Sequence, residues 1–157
     1  MIVCGIDPGL NGGITFIHGE SIESYPMPTI NVGKKNVLDS SEIASLLKKN
    51  RPDRVAIEKV NAMPGQGVTS MFSFGYGAGI LEGIVACLGI PFELVTPQRW
   101  MKIVLTGLDK SEGTKSSILW CQRRYPQIDW RKNEKCRTPH DGKTDSACIA
   151  YYLSKQS

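Results

Sequence analysis

Four carboxylates stand where this chain has no ordinary use for negative charge. Asp7 follows the apolar run Met1–Ile6, Glu58 ends the run Arg54-Val-Ala-Ile-Glu58, and Asp141 and Asp145 flank the start of the last apolar stretch. A carboxylate beside a core is unfavourable unless something compensates it. A pair of divalent cations does so: oxygen ligands suit magnesium and manganese, and three or four carboxylates can hold two such ions. Asp141 and Asp145 are four residues apart and share a face of any helix that begins by Asp141. Asp145 also shares the face of Cys148 and Ile149, which are expected to pack inward, so its carboxylate points towards the sheet. Three of the four also have a structural alternative. Asp7 before Pro-Gly suits a turn, Glu58 suits an ion pair, and Asp141 suits a helix N-terminus, where the macrodipole favours negative charge.

The elements that must position these groups are legible as patterns. Met1-Ile-Val-Cys-Gly-Ile6 reads as a strand buried on both faces. Asp7-Pro-Gly and Asn11-Gly-Gly13 turn the chain into a second strand at Ile14–Ile17, and Ser21–Tyr25 returns as a third. Pro26 to Lys35 reads as a loop. Asp39-Ser-Ser-Glu42 resembles a capping box ahead of a helix from about Ser40 to Asn50. After Pro52, Arg54–Glu58 reads as a buried strand. Thr69–Leu88 is expected as one helix in spite of its internal glycines; Gly75, Gly79 and Gly83 form a stripe that permits close approach to a sheet or another helix. A short strand at Pro91–Val95 precedes a helix start at Thr96-Pro97. Helices over Ser111–Tyr125 and Thr144–Leu153 complete an α/β order, a mixed sheet with helices packed against it.

With 157 residues, 41% of them hydrophobic, the chain suits one compact domain over 1–157. No uninterrupted apolar run has membrane-spanning length and no secretory leader is visible, so an intracellular, cytoplasmic protein is expected. Five unpaired-looking cysteines fit a reducing compartment. Cys136 and His140 resemble half of a zinc site, but no Cys-x-x-Cys accompanies them. From Arg99 to Lys143 the chain carries 11 Lys and Arg against 5 Asp and Glu, which leaves the remainder at −2 out of a total of +4. Such a block suits a phosphate backbone or a solvated face.

Ile6-Asp-Pro-Gly9 with its Gly-rich turn, Ala56-Ile-Glu58 with its loop and Gly-rich helix, and Asp145-Ser-Ala-Cys-Ile-Ala150 resemble, in order, the three acidic motifs of RuvC-type Holliday junction resolvases. The resemblance implies an RNase H-like fold with a central mixed five-stranded sheet flanked by helices. It also implies a homodimer and symmetric cleavage of four-way DNA junctions with two magnesium or manganese ions per site. Asp7, Glu58 and Asp145 match the metal-binding carboxylates. The bacterial pattern has its fourth acid three residues before the last aspartate, where Gly142 stands, so Asp141 is the candidate and His140 the alternative. That shift resembles phage or viral relatives. In this reading Asp7 bridges both ions; one acidifies the attacking water and the other stabilises the leaving 3′ oxygen. Lys143 is a candidate for stabilising charge on the phosphate. The loop after Glu58 would reach into the junction through Met63 and Gln66, with Phe72 and Phe74 beyond it. Arg99, Lys102, Lys115, Arg123 and Arg124 are candidates for phosphate contacts along the arms. The Gly75-Gly79-Gly83 helix is the candidate dimer face; the sequence does not identify a helicase partner.

Three other readings compete. Asp7-Pro-Gly-Leu-Asn-Gly-Gly13 also looks like the phosphate hairpin of actin-like ATPases and sugar kinases, but those need two such domains. Another RNase H-like nuclease, acting on branched DNA or structured RNA, differs in substrate. A non-catalytic junction-binding module would bind without cutting.

Overall fold

Three antiparallel strands open the chain, β1 (Ile2–Asp7), β2 (Gly13–His18) and β3 (Ser21–Pro26). In the computed structural model, which describes residues 1–59, 61, 65, 67–108 and 115–156, β1 is central. Its other edge pairs in parallel with β6 (Arg54–Glu58), which pairs in parallel with β7 (Phe92–Val95), giving the order β3-β2-β1-β6-β7. The sheet is therefore mixed and five-stranded, as expected from the motifs.

Both faces of β1 are covered, which explains its unbroken apolar run. Because side chains alternate along a strand, Cys4 and Ile6 enter one core with Ile43, Leu47, Leu81 and Val85, from helices α1 (Ser40–Asn50) and α2 (Val68–Cys87). Val3 enters the opposite core with Trp100, Cys121, Ala147 and Ile149. These come from α3 (Pro97–Val104), α4 (Ser116–Arg124) and α5 (Asp141–Ser154). Local signals set the helix starts. The Asp39 carboxylate accepts the Glu42 N–H at 3.1 Å, and Pro97 sits at the first turn of α3.

One expectation is corrected and one narrowed. Residues expected as a loop hold a separate hairpin, β4 (Thr29–Val32) with β5 (Lys35–Leu38), turned at Gly33 with φ +62°. Its strands are too short to display an alternation, and the flanking prolines conceal it. The glycine stripe of α2, expected to meet a sheet or another helix, does not meet this sheet: the buried residues of α2 are Gly77, Ala78, Leu81 and Val85, while a Cβ at Gly75, Gly79 or Gly83 would meet nothing within 4 Å. By length and composition α2 is apolar enough to cross a bilayer, and here it lies on the sheet by one narrow face.

Candidate active site

The parallel strands β1 and β6 end at the same edge of the sheet, which sets Asp7 beside Glu58. Helix α5 is brought to them by missing side chains. A Cβ at Gly5 would lie 2.2 Å from the Ser146 carbonyl oxygen, so the helix lies directly on β1. At the helix start, a Cβ at Gly142 would lie 2.3 Å from the Asn11 carbonyl oxygen. A buried hydroxyl pair fixes the seat, Thr15 Oγ1 to Ser146 Oγ at 2.8 Å, with Ser24 Oγ also 2.8 Å from Thr15. Position 142 thus has no room for a carboxylate, which accounts for the acid standing at 141.

The charges that meet here are lopsided. Burial, then the negative charges of Glu58 and Asp145, push the Asp7 carboxyl up to about 8. Burial also raises Glu58; the Trp100 indole opposes that rise, donating from Nε1 to Glu58 Oε1 at 2.8 Å. Lys115, at the N-cap of α4, reaches Asp145 Oδ2 at 3.0 Å and Asp141 Oδ2 at 3.3 Å. Burial pulls its ammonium down, but the two aspartates more than offset this. An open cleft of about 910 Å³ adjoins the group, bordered by Asn11, Lys115, Ile118, Gln122, His140 and Asp141. Among the described residues no three His, Cys, Asp or Glu side chains form a ready-made metal cage. The donor set nevertheless fits a hard divalent cation: it is all oxygen, it carries four potential negative charges against one lysine, and it leaves Asp7 too crowded to ionise readily without added positive charge.

No family model and no curated protein matches the sequence. The structure does find a match: Thermus thermophilus RuvC in complex with Holliday junction substrate aligns at TM-score 0.64 over 100% of this chain and 96% of that chain, at 14% identity. The chain has the RuvC fold. Two other resolvases share it. The yeast mitochondrial Holliday junction resolvase Ydc2 aligns at TM-score 0.55 and 17% identity over 96% of this chain and 76% of that one. Fowlpox virus resolvase, in complex with Holliday junction DNA, aligns at 0.52 and 14% identity over 99% of each.

On this RuvC fold the other residues singled out in the sequence scatter. Met63 and Gln66 lie outside the described residues. Phe74 packs beside Gly9, next to the β1–β2 turn, whereas Phe72 is 73% exposed and stacks on Tyr76 at 6.2 Å. Lys143 is corrected: it is buried, and its ammonium donates to the carbonyls of Asp129 at 2.6 Å and Arg131 at 3.1 Å, so it does not face the cleft. His140 caps α5, its Nδ1 accepting the Lys143 N–H at 3.3 Å, which uses the atom a ligand role on that nitrogen would need. Arg124 pairs with Glu20 at 3.1 Å in the β2–β3 turn, at the sheet end remote from Asp7; Arg123 is its exposed neighbour. Arg99 and Lys102 are exposed on α3, with Arg99 3.8 Å from Glu93 and over the Tyr152 ring. Cys136 bonds to Asn133 rather than facing His140. Trp100 and the Lys115 bridge were not anticipated. The register explains Trp100 after the fact: Glu58 pairs with Val95, so the turn that starts α3 returns beside Glu58.

Proposed function

We propose that the chain is a divalent-metal-dependent endonuclease that cuts four-way DNA junctions by paired nicks, acting as a homodimer with one such domain per subunit. The observation that carries this reading is the gathering of Asp7, half-buried, with Glu58, Asp145 and Asp141 at the strand ends of a fold shared with proteins solved on Holliday junction DNA, a crowding that also lifts the Asp7 carboxyl to about 8. Asp7, Glu58, Asp141 and Asp145 would hold magnesium or manganese, which when bound supplies Lewis acidity towards the attacking water and the leaving oxygen. The chain's own residues do the rest. Trp100 holds one oxygen of Glu58, leaving the other for a ligand. Lys115, already paired with Asp141 and Asp145, is placed to meet a phosphate there, and it takes the charge-stabilising role first expected of Lys143. The outer face of α2, with Phe72 and Tyr76 at 73% and 65% exposure above open glycines, supports the dimer.

Incubation of the purified chain with a labelled four-way junction and a matched linear duplex, with magnesium or chelator, tests the reading beside Asp7→Asn. Paired nicks confined to the junction, and lost with chelator or in Asp7→Asn, are expected. Cleavage of both DNAs demotes the chain to a general nuclease. The Lys115 bridge favours a second reading, a junction-binding module whose acids are neutralised internally; binding without cleavage at any magnesium concentration is its signature.

A further inference from the structure

The β4–β5 hairpin is not part of the main sheet, and nothing in the acidic site needs it. Its base is firmly seated. Met27 and Leu38 are buried in the α1–α2 core, the Met27 N–H donates to the Gly12 carbonyl at 2.9 Å, and the Asp39 N–H donates to the Pro28 carbonyl at 2.9 Å. Beyond this base it stands clear, with Ile30 at 49% and Val32 at 61% exposure and Asn31, Lys34, Lys35 and Asn36 all exposed. An isolated two-stranded ribbon is marginal in water, so one held out with β-branched residues uncovered points to an occupant.

Charge identifies which occupant. Residues 29–38 contain two lysines, both at the tip, and no acid. Among the described residues neither lysine has an ion-pair partner. A second copy of this chain, itself net +4, offers such a tip little attraction. Placement agrees. Pro26, where the chain leaves for the ribbon, is in register with Gly13, and Gly13 with Asp7, so the ribbon departs from the sheet end that holds the carboxylates. Two strand spacings separate that exit from Asp7 by about 10 Å, and four residues of strand add about 14 Å. The lysines therefore stand on the carboxylate side of the sheet, within a few nanometres of Asp7 and within reach of a duplex arm flanking a cut made there.

We propose that this ribbon is a second DNA contact: Lys34 and Lys35 hold the backbone of the duplex arm flanking the cut, and Ile30 and Val32 lie against the groove wall, which admits a two-stranded ribbon. The inference rests on the nuclease reading for the identity of the DNA. The test is binding of a fluorescent four-way junction, in chelator, by the wild-type chain and by Lys34→Ala/Lys35→Ala, as a function of salt. Two lost phosphate contacts lower the slope of log K against log salt by about 1.8 per ribbon, and weaken binding roughly 60-fold per ribbon near 0.1 M salt relative to 1 M. Melting temperature is expected to be unchanged, and Lys34→Arg/Lys35→Arg to restore the slope. A slope unaltered in a variant of a chain that binds DNA overturns the ribbon contact alone. A wild-type chain that binds no DNA overturns it together with the nuclease reading. Conversion of a dimer to a monomer by the alanine pair also overturns it, and assigns the ribbon to an interface between copies.

Discussion

At the scale of single residues, Asp7 is under electrostatic strain, and its strain has a sign. Burial first, then Glu58 and Asp145, raise its carboxyl from 3.8 to about 8. A carboxyl whose folded pKa exceeds its unfolded value contributes stability that is fully present below about pH 4 and lost as pH rises through about 8. Glu58 is displaced in the same direction. The metal-free protein is therefore expected to melt at progressively lower temperature from pH 5 to pH 9, and magnesium to reverse the loss. Asp7→Asn removes most of that slope. At pH 8 it should raise the metal-free melting temperature by a few degrees, on the order of 1 kcal/mol for a chain of this size, while abolishing cleavage. Thermal melts in chelator across the pH range check this; a variant that melts below wild type at pH 8 would mean that Asp7 is satisfied as a carboxylate. Gly142 makes a steric prediction. Its Cβ position is 2.3 Å from backbone atoms of Asn11 and Gly12, so Gly142→Ala is expected to cost about 1–3 kcal/mol. For the same reason, Gly142→Asp should not rescue the activity of Asp141→Asn.

At the scale of elements, Trp100 ties the start of α3 to the end of β6. Trp100→Phe keeps the buried ring and loses only the 2.8 Å bond to Glu58 Oε1. Groups that orient metal ligands typically contribute 10–100-fold in affinity, so the magnesium concentration for half-maximal cleavage is expected to rise about 10-fold with little change at saturation. A magnesium titration of cleavage decides it; an unmoved midpoint would reduce the bond to a packing detail. This pair also marks the limit of what was legible beforehand. The buried strands β1 and β6 and the caps of α1 and α3 were readable because apolar runs, Asp39 and Thr96-Pro97 are local signals. Asp7, Glu58 and Asp145 were conspicuous because each adjoins such a run. Lys115 and Trp100 were not, because their contacts join residues 30 and 42 positions apart. Lys143 misled for a related reason: a lysine between two acids suggests a charged cleft, but its stem carries the ammonium across to the carbonyls of residues 129 and 131.

At the scale of the whole molecule, the helical layers leave one apolar face uncovered. Helix α2 commits Gly77, Ala78, Leu81 and Val85 to the sheet and turns Val68, Phe72 and Tyr76 outwards at 80%, 73% and 65% exposure. The open positions Gly75, Gly79 and Gly83 let another helix come close. A four-way junction offers two equivalent strands, and one acidic cluster can engage only one of them, so paired cuts require two chains in a fixed relation. Self-complementary contact through α2, as proposed, would supply that relation, since a two-fold interface uses the same patch on both subunits. Phe72→Asp with Tyr76→Asp should therefore convert a dimer to a monomer in sedimentation without DNA. Loss of anchors worth about 2 kcal/mol each would weaken association by a factor of several hundred or more. On a junction within a circular plasmid, the variant should accumulate singly nicked product where wild type releases linear product, because its second cut waits for an independent encounter. A variant that remains dimeric removes α2 as the interface. One that becomes monomeric and still cuts both strands in a single binding event removes the need for a dimer.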